Sequence, residues 1–135
     1  MGIELKPGMS MTRTVTVDEG RTISFMGEEG RVYATPMFVQ DVEQLCRDFI
    51  VENVEAGNDS VGISVSIKHT APTLPGMSVT LTATITEVDG KRIAFEVSGK
   101  DELDEIGTCK HQRFVVSVEQ TAGRLAAKRA KFQAL

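Results

Sequence analysis

The sequence lacks the features that would assign it at once to a well-marked class of protein. Its 135 residues include two cysteines and two histidines, too few for a disulfide framework and poorly spaced for a zinc site. No apolar stretch approaches the ~20 residues that span a bilayer. Residues 1–11 contain neither the basic nor the apolar block of a signal peptide. We therefore expect a cytoplasmic protein with reduced thiols, no metal and no membrane segment.

A basic surplus and the common catalytic signatures are missing as well. The formal net charge is −4, so the chain has no overall basic field with which to bind nucleic acid. It contains no glycine-rich phosphate loop, no Gly-x-Ser-x-Gly elbow and no HxxxD acyl-transfer motif. With 41% hydrophobic and 25% charged residues, the composition is that of an ordinary globular protein. We interpret residues 1–135 as one domain with a real hydrophobic core.

The first part of the chain predicts one strand and one long helix. Weak alternation favours a strand from Met11 to Val17, and residues 18–31 are typical of a connecting loop or lid. Thr35 followed by Pro36 indicates a helix start, with the threonine as N-cap. Apolar residues then recur at helical spacing until Gly57; they are Phe38, Val42, Leu45, Cys46, Phe49 and Ile50.

The rest of the chain predicts an antiparallel sheet. Alternating residues favour strands over 61–69 and about 78–85, and Asp89-Gly90 predicts a tight hairpin into a third. An acidic turn over 101–105 precedes a last strand from about 106 to 118, and residues 122–134 form either a short basic helix or a frayed tail. This order predicts an α+β fold with the helix on one face of the sheet. An uncovered sheet edge suggests dimerisation.

Polar residues stand at places that packing alone would not choose. Glu43 lies on the apolar stripe of the helix, and His69 continues the inward parity of the strand from Val61 to Ile67. With Thr35 they supply a hydroxyl, an imidazole and a carboxylate, the parts of a site that activates a nucleophile or a water. Each also has a plain structural explanation: a cap for Thr35, a solvated carboxylate for Glu43, and a strand-end hydrogen bond for His69.

Two residues on the strands are further candidates. A glycine inside a strand weakens a sheet, so Gly62 indicates a bulge or the close approach of another group. Arg113, in a valine-rich strand, could bind an anion, pair with Glu43 or simply be a surface arginine.

The remaining polar and thiol candidates rank lower. His111 shares its strand's parity with Cys109 and is the only competitor of His69. Asp41 and Asp48 lie off the helical stripe, so we expect them to be solvated. Cys46 fits better as a small buried hydrophobe than as a nucleophile.

Several short motifs occur one after another along the chain. Ala34-Thr35 is followed by Glu43 eight residues on, and His69-Thr70-Ala71 by Pro75-Gly76; later come Asp104-Glu105-Ile106-Gly107 and His111-Gln112-Arg113. Over residues 32 to 120 the sequence resembles the hotdog-fold thioesterases of the fluoroacetyl-coenzyme A thioesterase type. The resemblance implies a long central helix wrapped by a curved antiparallel sheet, and a homodimer with active sites at the dimer interface; whether the assembly is a dimer or a tetramer stays open.

The resemblance also implies a reaction and a set of site residues. The family's catalytic residues fall on Thr35, Glu43 and His69, and its substrate-positioning residues on Gly62 and Arg113. The reaction would be hydrolysis of an acyl-coenzyme A thioester, with coenzyme A as part of the substrate and no other cofactor. The fluoroacetyl specialist has phenylalanines before its threonine, where this chain has the acidic, glycine-rich segment 25–30. We therefore expect the thioesterase class, for a small or medium acyl group, without fluoroacetyl specificity.

Two other functions compete with hydrolysis. A non-catalytic hotdog dimer could bind an acyl ligand without turnover. A hotdog dehydratase fits less well, because Glu43 and His69 lie on separate elements. Within the hydrolase hypothesis, an ideal helix would separate Thr35 from Glu43 by about 12 Å along its axis. A single relay through His69 therefore requires Thr35 to precede the regular helix.

The C-terminal segment is locally cationic. After Glu119 it carries Arg124, Lys128, Arg129 and Lys131 and no acidic residue. These residues either bind the phosphates of coenzyme A or form a solvated helix end.

Overall fold

A computed structural model describes residues 4–135 as one antiparallel sheet and two helices. The elements in chain order are β1 (Ser10–Thr16), α1 (Thr35–Val51), β2 (Asn58–His69), β3 (Ser78–Asp89), β4 (Arg92–Lys100), β5 (Glu105–Ser117) and α2 (Val118–Gln133). Short 3-10 turns at Glu19–Arg21 and Glu28–Gly30 lie between β1 and α1, in the segment predicted to be a loop or lid.

The sheet has the strand order β1-β3-β4-β5-β2, so β1 and β2 are its edges. The apolar stripe of α1 packs on one face, because the alternating strands turn their branched and aromatic residues toward it. The core consists largely of Phe38, Val42, Leu45, Phe49 and Ile50 from α1 with Leu81, Ile85, Phe95, Val97 and Ile106 from the sheet. The predicted α+β architecture, with a long helix against an antiparallel sheet, is confirmed.

The start of α1 differs from its prediction. Its N-cap is Ala34, which has extended backbone angles and whose carbonyl accepts hydrogen bonds from the amides of Met37 and Phe38. Thr35 is therefore the first residue of the helix and does not cap it. The prediction was wrong because proline at the second position already favours helical geometry there, so no capping side chain is needed.

A β-bulge in β2 changes which of its residues face the helix. The register with β5 shifts between Gly62 and Ser64, so Val61 pairs with Phe114, and both side chains are exposed. On the other side of the bulge, Val65 pairs with the buried His111. An extra residue inverts the alternation of a strand. The predicted single apolar face from Val61 to Ile67 is therefore wrong, although the bulge expected at Gly62 is confirmed.

Asp41 is buried, contrary to the expectation that it would be solvated. Its side chain accepts two hydrogen bonds from the Arg21 guanidinium, at 3.0 and 3.1 Å, and one from the Tyr33 hydroxyl at 2.5 Å. These donors replace the water that a carboxylate otherwise needs. Asp48 is partly buried and pairs with Arg13 at 2.9 Å. The Asp41 cluster ties the segment 18–34 to the side of α1.

The C-terminal segment, left open as a helix or a frayed tail, is a helix. Ser117 caps it by accepting a hydrogen bond from the amide of Gln120 at 3.2 Å. No residue of α2 is buried, and Leu125 and Phe132 are exposed. In residues 4–135 no helix is long and apolar enough to cross a membrane.

Both cysteines are free and buried. Burial raises the pKa of Cys46 to about 12 and that of Cys109 to about 11. Both groups therefore remain neutral thiols near pH 7, which supports their interpretation as small hydrophobes.

Candidate active site

Thr35 and His69 meet at the start of α1. The last residue of β2 lies beside the first turn of the helix, and the Thr35 hydroxyl is 2.9 Å from His69 Nδ1. Because Ala34 is the N-cap, the hydroxyl has no capping bond to make. Two rings hold the imidazole in place: it lies edge-on to Phe38 at 5.1 Å and to Tyr33 at 6.0 Å between centroids. The pair is therefore positioned by packing as well as by the hydrogen bond.

The state of His69 suits a proton acceptor. Burial lowers the pKa of its imidazole below the ordinary value of 6.5, so the ring is neutral near pH 7. A neutral Nδ1 can accept the Thr35 proton, in which case Nε2 carries the ring hydrogen. Nε2 is shielded from solvent and has no hydrogen-bond partner among residues 4–135. Thr35 is therefore the side chain that hydrogen-bonds to this imidazole, and the backbone of Ala71 partly offsets the lowering of its pKa.

An open cavity of about 320 Å³ surrounds the pair. Its walls are mainly apolar and come from the segment before α1 and the turn after β2; they include Ile23, Phe25, Val32, Tyr33, Ala71 and Pro72. The amino-terminal end of α1 borders the same space, and the positive end of the helix dipole there favours negative charge. The cavity therefore combines apolar walls with a hydroxyl and an electropositive helix end.

Glu43 belongs to a second group of polar residues, further along α1. Its carboxylate is 3.8 Å from Arg113 Nη1, and its side chain is 45% exposed, whereas that of Arg113 is 6% exposed. Of the three alternatives for Arg113, the surface position is thus wrong and the pairing with Glu43 is found. This group lines a different cavity, of about 530 Å³, together with Gln40, Gln44, Arg47 and Ser60.

Gly62 allows this second group to pack closely. A Cβ atom placed on it would lie 3.3 Å from His111 Cε1, 3.5 Å from Arg113 Nη1 and 3.6 Å from Glu43 Oε2. The close approach predicted from a glycine within a strand is therefore present, together with the bulge.

The two groups are not joined within one chain. Among residues 4–135 no hydrogen bond or ion pair connects Glu43 with His69. Thr35 begins the regular helix, so about 12 Å of helix axis separates it from Glu43. The geometry required for a single relay inside one subunit is absent. The individual roles of Thr35, Glu43, His69, Gly62 and Arg113 stay predictions.

Several contacts around these residues were not anticipated from the sequence. His111 was ranked below His69, yet it is fully buried and 3.1 Å from Arg113. The shared parity of His111 with Cys109, Arg113 and Val115 predicted that His111 and Arg113 lie on one face of the strand, but not that they are in contact. No sequence pattern indicated Ser60, because its contacts with Arg113 depend on the bulge in β2.

A long helix packed on one five-stranded antiparallel sheet is the architecture of the hotdog class of proteins. The chain belongs to the fluoroacetyl-CoA-specific thioesterase family, whose sequence profile matches residues 17–119.

Individual relatives cover most of the chain. It is 30% identical to the fluoroacetyl-CoA thioesterase of Streptantibioticus cattleyicolor in an alignment of length 131 that covers 92% of this chain and 94% of that protein. A solved structure of the fluoroacetyl-CoA thioesterase superposes with a TM-score of 0.84 at 30% identity, over 93% of this chain and 98% of the other. A thioesterase superfamily member of Thermus thermophilus, 24% identical, superposes with a TM-score of 0.88 over 98% of both chains and supports the fold. A variant of the fluoroacetyl-CoA-specific thioesterase, 31% identical, has been solved with fluoroacetate and CoA; it superposes with a TM-score of 0.80 over 87% of this chain and 99% of that one.

Proposed function

We propose that the protein hydrolyses an acyl-coenzyme A thioester of a small or medium acyl group, releasing a carboxylic acid and free coenzyme A. The observation that carries this proposal is the Thr35 hydroxyl held 2.9 Å from the neutral His69 imidazole, in an apolar cavity at the start of α1. A hydroxyl beside an acceptor nitrogen is the arrangement of an activated nucleophile or of a water-positioning pair.

The proposed reaction starts with proton transfer to His69 Nδ1. The proton comes from Thr35, or from a water at its hydroxyl, and the oxygen attacks the thioester carbonyl. The developing oxyanion lies at the amino-terminal end of α1, where the helix dipole and the backbone amide of Thr35 stabilise it, because Pro36 has no N–H and the amides of Met37 and Phe38 already donate to Ala34. The C–S bond then breaks, and the coenzyme A thiolate receives the proton from His69. Attack by water releases the carboxylic acid directly. Attack by Thr35 leaves an acyl ester on its oxygen, and a water that gives its proton to His69 Nδ1 then hydrolyses this ester and restores the hydroxyl. A thiolate is a good leaving group, so the proposal needs no metal or redox cofactor.

The cavity beside the pair is the proposed acyl site. Its volume of about 320 Å³ suits a short chain, and Ile23, Phe25 and Val32 offer apolar contacts to it. The neighbouring segment 25–30 carries Glu28 and Glu29 and is mostly exposed. These carboxylates are a poor cover for a fluoroacetyl group, and this supports a substrate other than the fluoroacetyl ester.

We further propose that two chains pair along β2 and complete the site. β2 is an edge strand with one unpaired side, and it exposes Val61, Ile63 and Val65 by 40 to 50%. Exposed apolar edges of this kind are normally covered by another strand. Such a homodimer offers a way to bring Glu43 of one subunit to the Thr35–His69 pair of the other. A cytoplasmic location is proposed from the two free, buried cysteines.

The first experiment is thiol release over a panel of straight-chain and branched acyl-coenzyme A esters, with Thr35→Ala, Glu43→Gln and His69→Ala alongside. Hydrolysis by the wild type, lost in the variants, is the expected result. If no ester is hydrolysed although acyl ligands bind, the protein is a binding module and the proposal fails.

A mixing experiment tests the shared site. Thr35→Ala and Glu43→Gln chains, each inactive alone, are unfolded together and refolded. If one site uses both subunits, a mixed dimer contains one intact site, and the mixture recovers about a quarter of wild-type activity. No recovery, with mixed dimers shown by mass spectrometry, would place Glu43 and Thr35 of each site in one subunit.

A further inference from the structure

Buried beneath the Glu43–Arg113 pair lies an imidazole with no role in the proposed reaction. His111 is 0% exposed, and both of its ring nitrogens have partners. Nδ1 is 2.8 Å from the carbonyl oxygen of Ser64, and Nε2 is 3.1 Å from Nη1 of Arg113. It cannot touch a substrate, so any effect it has on catalysis must pass through its neighbours.

The partners of His111 fix its protonation state. A guanidinium nitrogen only donates, so Nε2 of His111 must accept and carries no hydrogen. A carbonyl oxygen only accepts, so Nδ1 must carry the ring hydrogen and donate it to Ser64. The ring is therefore the neutral tautomer with hydrogen on Nδ1. This assignment follows from the chemistry of Arg113 and Ser64 alone.

The same contacts hold the Arg113 guanidinium in one orientation. Nε donates to the Ser60 hydroxyl at 2.7 Å, Nη2 donates to the Ser60 carbonyl at 2.9 Å, and Nη1 donates to His111. Each nitrogen of the planar group thus has a fixed acceptor. The remaining hydrogens are directed away from these acceptors, and Glu43 lies 3.8 Å from Nη1, beyond direct hydrogen-bond distance.

The surroundings of His111 oppose a second positive charge. Arg113 on the same strand and Glu43 on α1 are the charged groups that face it; the Cys46 and Cys109 thiols lie close to this cluster, and Phe95 of β4 pairs with it in the sheet. Burial, and then Arg113, lower the pKa of His111, whereas Glu43 and the Ser64 carbonyl act in the opposite direction. A protonated ring would also turn an N–H toward Arg113, which has no acceptor to offer.

We infer that His111 is a positioning residue that holds the Arg113 guanidinium toward the cavity of Glu43, and that it does so only as the neutral tautomer with hydrogen on Nδ1. Its kinetic consequence rests on the proposed thioesterase function. The arrangement itself does not, so the two can be tested separately.

The structural arm of the test is ¹⁵N NMR of the wild-type imidazoles over a pH titration, with assignment by comparison with His111→Gln. One ring should show hydrogen on Nδ1 and remain neutral below the ordinary pKa of 6.5. A His111 ring that carries its hydrogen on Nε2, or is charged at pH 7, would overturn the inference whether or not the protein hydrolyses any ester.

The kinetic arm compares two substitutions of similar size. His111→Leu removes the acceptor for Arg113, and we expect kcat/KM to fall about 10- to 100-fold. His111→Gln keeps an oxygen near the position of Nε2 and should recover most of the loss. The activity of the wild type should fall at acid pH, and protonation of both His69 and His111 should set the slope of that fall. In His111→Gln, protonation of His69 alone should set the slope.

Each kinetic outcome counts for or against the inference. Equal activity of wild type and His111→Leu contradicts it, as does an acid limb that His111→Gln leaves unchanged. If His111→Leu does not fold, the pH profile of His111→Gln and the NMR titration still decide. If the wild type hydrolyses nothing in the panel, the proposed function fails, and the NMR result stands by itself.

Discussion

The two polar groups of this protein are built in opposite ways. At the start of α1, Thr35 is exposed and its hydroxyl makes one hydrogen bond, to a histidine whose other nitrogen has no partner. Further along, Arg113 is almost fully buried and every one of its nitrogens has an acceptor. The first group has spare hydrogen-bonding capacity for a substrate, and the second has a charge held at a fixed place. In the proposed reaction the first group attacks the carbonyl, and the second orients the substrate or the base.

The largest expected effect comes from breaking the first group. His69→Ala removes the proton acceptor of Thr35, and kcat should fall about 10²- to 10⁴-fold while the free energy of unfolding changes little. Thiol release and thermal unfolding measure the two quantities. Thr12→Ala, which removes a hydroxyl bonded to Thr82 on β3, is a matched control that should keep full activity. Near-normal turnover in His69→Ala would remove the imidazole from the mechanism.

Breaking the second group should affect both stability and activity. Arg113→Lys cannot reproduce the bonds to Ser60 and His111, because an ammonium lacks the planar fork of a guanidinium. We expect a loss of ~1–3 kcal/mol in the free energy of unfolding and a fall in kcat/KM of about 10- to 100-fold. Arg92→Lys, in a pair with the exposed Glu87, serves as the control for denaturant titration and kinetics. If Arg113→Lys and Arg92→Lys lowered stability and kcat/KM equally, the hydrogen bonds of the buried Arg113 would contribute no more than an exposed ion pair.

A smaller change tests how closely the second group is packed. In Gly62→Ala the new methyl group would meet His111 Cε1 at 3.3 Å, so the neighbours must shift by a few tenths of an ångström. We expect kcat/KM to fall about 10-fold and stability to fall by ~1 kcal/mol. Gly123→Ala in α2 has no atom within 4 Å and should be neutral or stabilising. A fully active Gly62→Ala enzyme would show that the cluster tolerates movement.

Each of the two groups contains a histidine with a lowered pKa, and this predicts a dependence of stability on pH. Burial lowers the pKa of both His69 and His111 below the unfolded value of 6.5, so the unfolded chain binds protons first as the pH falls. Their contribution to stability is fully present above pH 6.5 and declines below it. Urea titrations between pH 5 and 8, compared with His111→Gln, measure the share of each ring. A midpoint that does not change below pH 6.5 would contradict the lowered pKa values.

The smallest expected effect concerns α2, which lies outside both groups. Lys128→Glu reverses an exposed charge on α2, and a surface ion pair contributes at most ~1 kcal/mol. The KM for an acyl-coenzyme A should therefore change by no more than about 5-fold, and the change should vanish at high salt. Lys6→Glu provides a charge-matched control. A larger, salt-resistant change would bring α2 into contact with the substrate.

The sequence predicted the elements better than it predicted the contacts between them. Helical and alternating periodicity records which side chains pack in the core. This pattern is strong in α1 and the strands, so these elements could be predicted. The burial of Asp41 and the orientation of Arg113 each depend on partners distant in sequence, such as Arg21 for Asp41. Local patterns carry no information about such partners. The bulge in β2 was predicted only in part. Gly62 indicated where it lies, but not that the residues on its two sides would point to opposite faces of the sheet.

That bulge decides what lies beneath the helix. In a regular β2 with the same register beyond Ser64, Ile63 instead of Gly62 would stand opposite Arg113. A branched side chain would then occupy the space of the guanidinium, and Ser60 would turn to the outer surface. One additional residue in an edge strand thus makes room for a buried guanidinium under the helix. Without it, only apolar side chains would fit there.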